Sequence, residues 1–370
     1  MNEAHALPAA FYLLEKYKTV AKVKEHLVFT THTPVKAGNE VNDPNFLLEM
    51  SFFHHLNLKE VEKVMDFENG WFNHTLAALR LAKKANAVSK KHKQVSDEMW
   101  GDFKKICKIE AITNAQNKNY WTDTELEKAY LKKNHKAYST RKTRLKEYLF
   151  NEVADQTGKL FDSNVLTVVW ARRFAGYKRA DLITRDLDRF EKLLANTKYP
   201  IQILWAGKPY PLDGAAVDTF NKLIHMTKKY PNATVLTGYE LRLSALMKKG
   251  SDVWLNNPRI PLEASGTSGM TAAMNGSVNF STNDGWILEF AKHGKNSFVI
   301  PEVNLSWSEE EQDQYDFDNM LNILEKEIMP LYYDTPEKWS ELAWQATDAV
   351  NEMFVAKRMA DDYYKKLYKA

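Results

Sequence analysis

Between residues 165 and 281 short apolar runs alternate with stretches of helical periodicity, and this alternation limits the possible folds more than any other feature. The runs are Val165 to Trp170, Ile201 to Ala206, Thr234 to Thr237, Val253 to Leu255 and Val278 to Ser281. All are too short for helices and most are rich in β-branched or aromatic residues, so they read as buried strands. Between them, Asp181 to Leu194 and Ala215 to Lys229 place apolar residues three and four apart, and Leu241, Leu243, Leu246 and Met247 predict a shorter helix closed by Gly250. Strand, crossover helix and strand in repetition specify a parallel sheet covered on both faces. Residues 151–330 are therefore expected to form a doubly wound α/β domain.

The flanks read differently. The first 135 residues are more helical, with one clear buried strand in HLVFTTHTP at residues 26–34, and they look like the later part of a Rossmann-like domain whose beginning is missing. That domain is expected over residues 1–150, with the linker region around 136–164, where KAYSTRKTRLKEYLF leads into NEVADQTGKLFDSN. From Ser308 to Tyr368 only helical periodicity remains, and Trp339, Leu342, Ala343, Ala346, Val350 and Phe354 should share one buried face. Residues 331–370 are expected to be C-terminal helices packing back across the domains.

Composition excludes several classes. With 44% hydrophobic residues, 27% charged and 26 Gly and Pro together, the 370-residue chain is neither disordered nor fibrous. Cys107 is the single cysteine, so an internal disulfide and a thiolate zinc cluster are excluded and a reducing, cytoplasmic compartment is expected. An acidic residue, Glu3, stands where a signal peptide would be basic, and nowhere do eighteen apolar residues run together, so neither secretion nor a membrane partner is expected. The net charge of +3 hides a basic band, with 17 Lys and Arg against 8 Asp and Glu in residues 81–150, and an acidic stretch, with seven acids and no base in residues 301–320. The lysines of the band sit among helical-looking residues with no stacking-aromatic or RNA-binding signature, so it reads as solvated helix faces and no nucleic-acid partner is expected.

In an open α/β sheet ligands lie beyond the carboxyl ends of the strands, which directs attention to the residues following each run. After the first come Arg172, Arg173, Phe174, Ala175, Gly176, Tyr177, Lys178 and Arg179, four cations beside a glycine, a composition suited to phosphate or pyrophosphate. After the second and third come Gly207-Lys208-Pro209 and Gly238-Tyr239-Glu240. After the fourth, Pro261 to Met270 places the acid Glu263 ahead of small residues at the expected start of a helix, where free N–H groups favour an anion. A carboxylate upstream of such an anion pocket suits a sugar phosphate or a nucleotide sugar; alternatively Ser265 and Thr267 are only caps and Glu263 is a surface acid. No metal is expected, because none of the ten histidines has a partner at metalloprotease spacing and His54-His55 is only a vicinal pair. Gly-x-Ser-x-Gly, a phosphate-binding P-loop and GxGxxG after a strand are all missing from the sequence.

The segments MNEAH, FTTHTPVKAGNE, ITNAQNKNYW, ARRFAGYKRADLI, AGKPYPLDGAA, TGYELRLSALM, EASGTSGMTAAMNG and DGWILEF follow, in order, the signature segments of the α-glucan phosphorylases. The chain thus resembles that family, most closely its bacterial and archaeal branch, over nearly its whole length. The resemblance implies an α/β fold of the GT-B type, with two Rossmann-like domains of which the first is incomplete, and transfer of glucosyl units between an α-1,4-glucan and phosphate. It also implies roles: Arg173 and Lys178 contact phosphate, with Tyr177 between them, and Glu263, Ala264, Ser265, Gly266 and Thr267 hold glucosyl hydroxyls and present amides to phosphate. His32 and Asn114 reach the glucosyl unit from the first domain, and Tyr239 packs against the cofactor ring.

Two departures accompany the resemblance. The family holds pyridoxal phosphate as a Schiff base on a lysine whose position here is Thr271, which has no amine, and TAAMNG contains no lysine to replace it. Covalent pyridoxal phosphate is therefore not expected, and a noncovalent place between Tyr239 and the basic loop stays open. The segment resembling MNEAH also lies well inside the first domain of complete family members, and ITNAQNKNYW departs after Asn114 from the family's glucan-facing stretch. A nucleotide-sugar-dependent glucan synthase and a noncatalytic binder of glucan or sugar phosphate are the alternatives. A homodimer, or association with a missing N-terminal half, is the partner expectation beyond the substrates.

Overall fold

The computed structural model of the chain describes residues 1–65, 67 and 69–369. These form two compact units: Met1–Asn114 with Pro261–Ser265 and the residues from Lys357 on, and Ala115–Ile260 with Gly266–Ala356.

The first unit contains strands β1 (Val28–Thr30), β2 (Val41–Asn42), β3 (Phe72–Asn73), β4 (Lys84–Ala87) and β5 (Ile109–Ala111). β1, β4 and β5 make a parallel sheet in that order, with Phe29 opposite Ala85 and Asn86 opposite Glu110, while β2 and β3 pair antiparallel. The first residues run beside β1, Glu3 N donating to Thr30 O at 2.9 Å and Thr30 N to Met1 O at 2.9 Å. The core is an aromatic knot in which Phe11 meets Phe53 edge-on at 4.9 Å, with Phe52 and Phe72 around them, an arrangement that adds to area burial. The C-terminal residues complete this unit: Asn86 Nδ2 donates to Tyr363 Oη at 3.3 Å, Lys366 Nζ to Ala111 O at 3.2 Å, and Leu367 is fully buried.

The second unit holds β6 (Leu166–Ala171), β7 (Ile201–Ala206), β8 (Ala233–Leu236), β9 (Val253–Asn256), β10 (Val278–Ser281) and β11 (Ser297–Val299) in one parallel sheet of order β11-β10-β9-β6-β7-β8. Five of these six coincide within a residue with the apolar runs. The sixth, β11, is an edge strand of three residues and was not foreseen. The expected helix Asp181 to Leu194 is instead a 3₁₀ turn, Leu182–Thr184, followed by a helix, Leu187–Leu194. Asp186 separates them because its side chain caps the second piece, accepting from Arg189 N at 3.0 Å. Trp339, Leu342, Ala343, Ala346, Val350 and Phe354 are all buried, as the periodicity requires.

The compact units divide after residue 114 rather than at 150, and the stretch read as a linker is a 23-residue helix, His135–Thr157. Asn134 caps its start by accepting from Ala137 N at 3.0 Å, and Gly158, at φ 69°, closes its end. Its stripe of Tyr138, Leu145, Leu149 and Val153 is buried, the latter part against Leu243 and Met247 of the helix Leu241–Gly250. The charges that made the segment resemble a linker line the remainder of the helix, and two of its cations point inward. Lys142 Nζ donates to Lys249 O (2.7 Å), Asn275 O (2.7 Å) and Ser277 Oγ (3.1 Å), and Lys146 Nζ to Asp252 Oδ2 (2.6 Å), Val165 O (2.9 Å) and Tyr332 Oη (3.1 Å). No helix among the described residues is long and apolar enough to cross a membrane.

Candidate functional site

In the second unit the carboxyl edge of the sheet is built outward from β6 and β7. Beyond Ala171 the ladder continues, Arg172 N donating to Ala206 O at 3.0 Å and Phe174 N to Lys208 O at 3.1 Å. This close approach requires glycine at 207, since a Cβ there would lie 1.9 Å from Arg172 O. Phe174 anchors the loop, its buried ring edge-on to Trp170 at 5.0 Å and to Phe220 at 4.9 Å. With Phe174 turned in, Arg173 is exposed. A single 3₁₀ turn, Gly176–Lys178, follows and is pinned by Arg259 N donating to Tyr177 O at 2.7 Å; Lys178 is half-buried, with Nζ 5.3 Å from the Tyr177 ring centroid.

The four cations of this loop divide. Arg172 and Arg179 are buried. Arg179 donates to Asn257 O (2.9 Å), Pro258 O (3.1 Å), Asp313 Oδ1 (2.8 Å) and Asp316 Oδ2 (2.6 Å), so it is a structural clasp and not one of the loop's phosphate cations. Burial pushes the Asp316 carboxyl above its usual range, against the pull of Arg179. Arg259 joins the same cluster through Asp313 and Glu309, each at 2.7 Å. The acid-only stretch seen in the sequence thus answers arginines of the β6 and β9 loops.

Tyr239 lies half-buried after β8, its hydroxyl donating to Ala171 O at 3.3 Å and standing 3.2 Å from Ser244 Oγ, and burial raises its pKa. Lys208 and Glu240 pair on the exposed side of the same edge. Thr271 is buried in the helix Thr267–Ala273, with Oγ1 donating to Ser268 O at 2.9 Å. That hydroxyl is turned onto its own helix and supplies no amine, so the position does not fit a covalently held pyridoxal phosphate. The N-cap of this helix is Gly266, at φ 89°, a left-handed conformation that favours glycine, and no side chain caps it. Ser265 and Thr267 are therefore not the caps that one reading allowed.

The first unit builds a second polar edge by the same rule. His32 follows β1, with Nε2 2.7 Å from Asn2 Oδ1 and its backbone N–H donating to Glu3 Oε1, which also accepts from Thr33 Oγ1 at 3.1 Å. Burial lowers the His32 pKa, opposed by Glu3. Ser89 follows β4 and caps the helix Lys90–Trp100, accepting from His92 N at 3.0 Å while its own Oγ donates to Ala264 O at 2.7 Å. His92 is buried and accepts from Val88 N at Nδ1 (3.3 Å); burial pushes its pKa down to about 4, so the ring is neutral. Asn114 follows β5, half-buried, its N–H donating to Val88 O at 2.9 Å and its carbonyl accepting from Arg358 Nη2 at 3.3 Å. Glu263 and Ala264 are half-buried, and Ser265 is buried with Oγ lacking a partner among the described residues.

Within the first unit, then, His32, Asn114 and the Glu263–Ser265 segment share the edge set by β1, β4 and β5; Arg173, Tyr177, Lys178 and Tyr239 share the edge of the second unit's sheet. Sequence reading gave no site role to Asn2, Glu3, Ser89 or His92, although Asn2 and Glu3 lie in the segment MNEAH. For Ser89 a signal existed, since serine ahead of a lysine-rich helical run is a cap. Chemically, the second unit offers cations suited to phosphoryl oxygens, and the first offers neutral imidazoles, an amide and a carboxylate suited to hydroxyls. No group of acidic, histidine and cysteine side chains among the described residues is arranged to hold a metal ion.

Comparison with known proteins agrees with this architecture. Residues 105–301 match the family described as carbohydrate phosphorylase. The chain is 48% identical, over its full length and 69% of the relative, to an uncharacterized protein of Methanocaldococcus jannaschii. It is 32% identical to the glycogen phosphorylase of Aquifex aeolicus, covering 98% of this chain and 60% of that one, and 31% identical to the maltodextrin phosphorylase of Thermococcus litoralis, covering 100% and 50%. The chain thus spans half to about two-thirds of the length of these relatives. Parallel sheets in both units, polar residues gathered at their carboxyl edges and a family match centred on the second sheet agree on one assignment: an α/β chain of the GT-B type that belongs to the carbohydrate phosphorylase family.

Proposed function

We propose that this chain is a retaining hexosyltransferase that moves a glucosyl unit between an α-1,4-glucan and phosphate, with glucose 1-phosphate as the sugar phosphate. The observation that carries the reading is the sorting of the β6 loop: Arg179 turns inward onto Asp313 and Asp316, and Arg173 is left exposed, with Lys178 half-buried over Tyr177. The names of the Aquifex and Thermococcus relatives support it.

In the proposed reaction the C1–O bond to the glucan breaks as a phosphate hydroxyl gives its proton to the departing 4-oxygen. A phosphate oxygen then bonds C1 on the face the glucan left, which retains configuration. Arg173 and Lys178 stabilise the charge on phosphate and, through it, the oxocarbenium-like sugar. In the first unit this reading gives His32, Asn114, the Glu263 carboxylate and the amides of Ala264 and Ser265 to glucosyl hydroxyls; in the second it gives the amides of Gly266 and Thr267, beside Arg173 and Lys178, to phosphate. No step uses pyridoxal phosphate.

Thr271 favours a second reading, a nucleotide-sugar donor, because a chain without the cofactor amine has a donor phosphate built into such a sugar. The test is thermal-shift titration of the purified chain with orthophosphate, glucose 1-phosphate, UDP-glucose, ADP-glucose and pyridoxal phosphate, followed by turnover with maltooligosaccharide. Phosphate release from glucose 1-phosphate supports the first reading, and Arg173→Ala or Lys178→Ala should each lower kcat/KM by about 10²–10³-fold. Turnover of nucleotide sugars alone transfers the assignment to a synthase. Stabilisation without turnover makes the chain a binding protein, and no response to any ligand defeats all three.

A further inference from the structure

At the amino ends of β6, β9 and β10, the opposite end of the strands from the carboxyl edge, the second unit holds a cavity of about 380 Å³, a volume within the range of small-molecule sites. One wall is aromatic: Tyr332 stands edge-on to Trp339 at 5.3 Å and to Tyr333 at 4.9 Å. The other carries Lys142, Lys146 and Asp252. Lys146 pairs with Asp252 at 2.6 Å, and Asp252 Oδ2 also accepts from Thr167 N at 2.9 Å, so these two charges answer each other. Lys142 has only neutral acceptors, two carbonyls and the Ser277 hydroxyl, and no carboxylate partner among the described residues. The lining is therefore left with one surplus positive charge. A cation drawn away from water without a counter-charge is costly, and burial accordingly pushes the Lys142 pKa down to about 7, opposed by Asp252 and Asp123 and helped by Lys146. In the same lining Ser139 Oγ and Ser340 Oγ lie 2.8 Å apart, and one hydrogen bond between two hydroxyls leaves the other O–H to donate.

We propose that this cavity binds a small monoanion of the aromatic carboxylate class, its ring against Tyr332 and Trp339 and its carboxylate toward Lys142 and the Ser139–Ser340 hydroxyl pair. The three hydrogens of the Lys142 ammonium are already donated, so Lys142 acts on the ligand through its charge, and the spare serine hydroxyl supplies the hydrogen bond. A neutral sugar matches less well, because it leaves the surplus charge unanswered, and Asp252, the carboxylate of the described lining, is already taken by Lys146. The site lies apart from the cations of the β6 loop, which follow the other end of that strand, and it stands independently of glucosyl transfer.

The test is isothermal titration calorimetry of the intact chain with 2-naphthoate, with its neutral counterpart 2-naphthamide and with glucose, each in the presence and absence of saturating orthophosphate. The expected result is naphthoate binding at a single site, at least about tenfold tighter than the amide and unaffected by orthophosphate. Lys142→Met should weaken naphthoate at least about tenfold by removing the surplus charge. Ser340→Phe, which keeps Lys142 and fills the cavity from its lining, should abolish binding, with circular dichroism confirming that the variant is folded; it decides the matter alone where Lys142→Met fails to fold. Equal affinity for acid and amide would overturn the proposal, as would tighter binding of glucose or no binding of naphthoate at all. Naphthoate retained by folded Ser340→Phe, or displaced by orthophosphate, would place it elsewhere on the chain and overturn it equally.

Discussion

At the scale of single residues, burial decides which charges and rings can take part in chemistry. His92 is the clearest case, because its Nδ1 must stay unprotonated to accept from Val88 N and burial holds its pKa near 4. The unfolded ring titrates near 6.5, so between pH 6.5 and 4 the unfolded chain binds the extra proton and stability falls as pH falls. The contribution reaches roughly 3 kcal/mol at the acid end of that window. Denaturation by urea at pH 7 and pH 4.5 should show the loss, and His92→Asn, which keeps an acceptor and cannot titrate, should shrink it. An acid limb unchanged in that variant would contradict the assignment. Arg179 follows a related rule: Arg179→Met leaves Asp316 buried without its cation and should cost about 3–5 kcal/mol by chemical denaturation. A cost below 1 kcal/mol would mean that the acidic cluster relaxes into water.

At the scale of elements, charge patterns that look like solvated faces become clasps. The helix His135–Thr157 reads as a linker because it is rich in lysine and arginine, yet Lys142 and Lys146 reach carbonyls and Asp252 at the feet of the sheet strands. Asp252 Oδ2 also accepts from Thr167 N at 2.9 Å, so Lys146, Asp252 and β6 are one hydrogen-bonded unit. Lys146→Met should therefore cost about 3–5 kcal/mol, and Lys146→Met with Asp252→Asn should recover part of that, measured as a double-mutant cycle. Additive losses in the cycle would show the two side chains to act independently. Strand β4, Lys84–Ala87, was beyond sequence reading for the opposite reason: alanine and asparagine have little intrinsic strand preference, and the segment is extended because β1 and β5 flank it on both sides.

At the scale of the whole molecule, compact units need not follow chain order. The segment Pro261–Ser265 and the C-terminal residues from Lys357 count with the first unit, although both lie far along the chain. Leu367 is fully buried there. Leu367→Ala should destabilise that unit by about 2–5 kcal/mol. Hydrogen exchange should report it as faster exchange at β1, β4 and β5 with protection retained at β6, β7 and β9. Equal loosening of both sheets would show that the terminal residues act on more than their own unit.

The sequence by itself determined the α/β class, five of the six strands of the larger sheet, the buried face from Trp339 to Phe354, the family, and the lack of an amine at Thr271. Each of these depends on local periodicity or on residue identity, which the order of residues carries directly. Composition leaves the four neighbouring cations equivalent and the resemblance picks Arg173 and Lys178, but only the tertiary structure shows what Arg179 does instead, because the acids at 313 and 316 that bind it lie more than 130 residues away. The same holds for Ser89 holding Ala264 and for Lys248 left on the face of Trp121. A side chain's role there is set by which distant atoms fill or fail to fill its hydrogen-bonding positions, and local pattern contains no record of them.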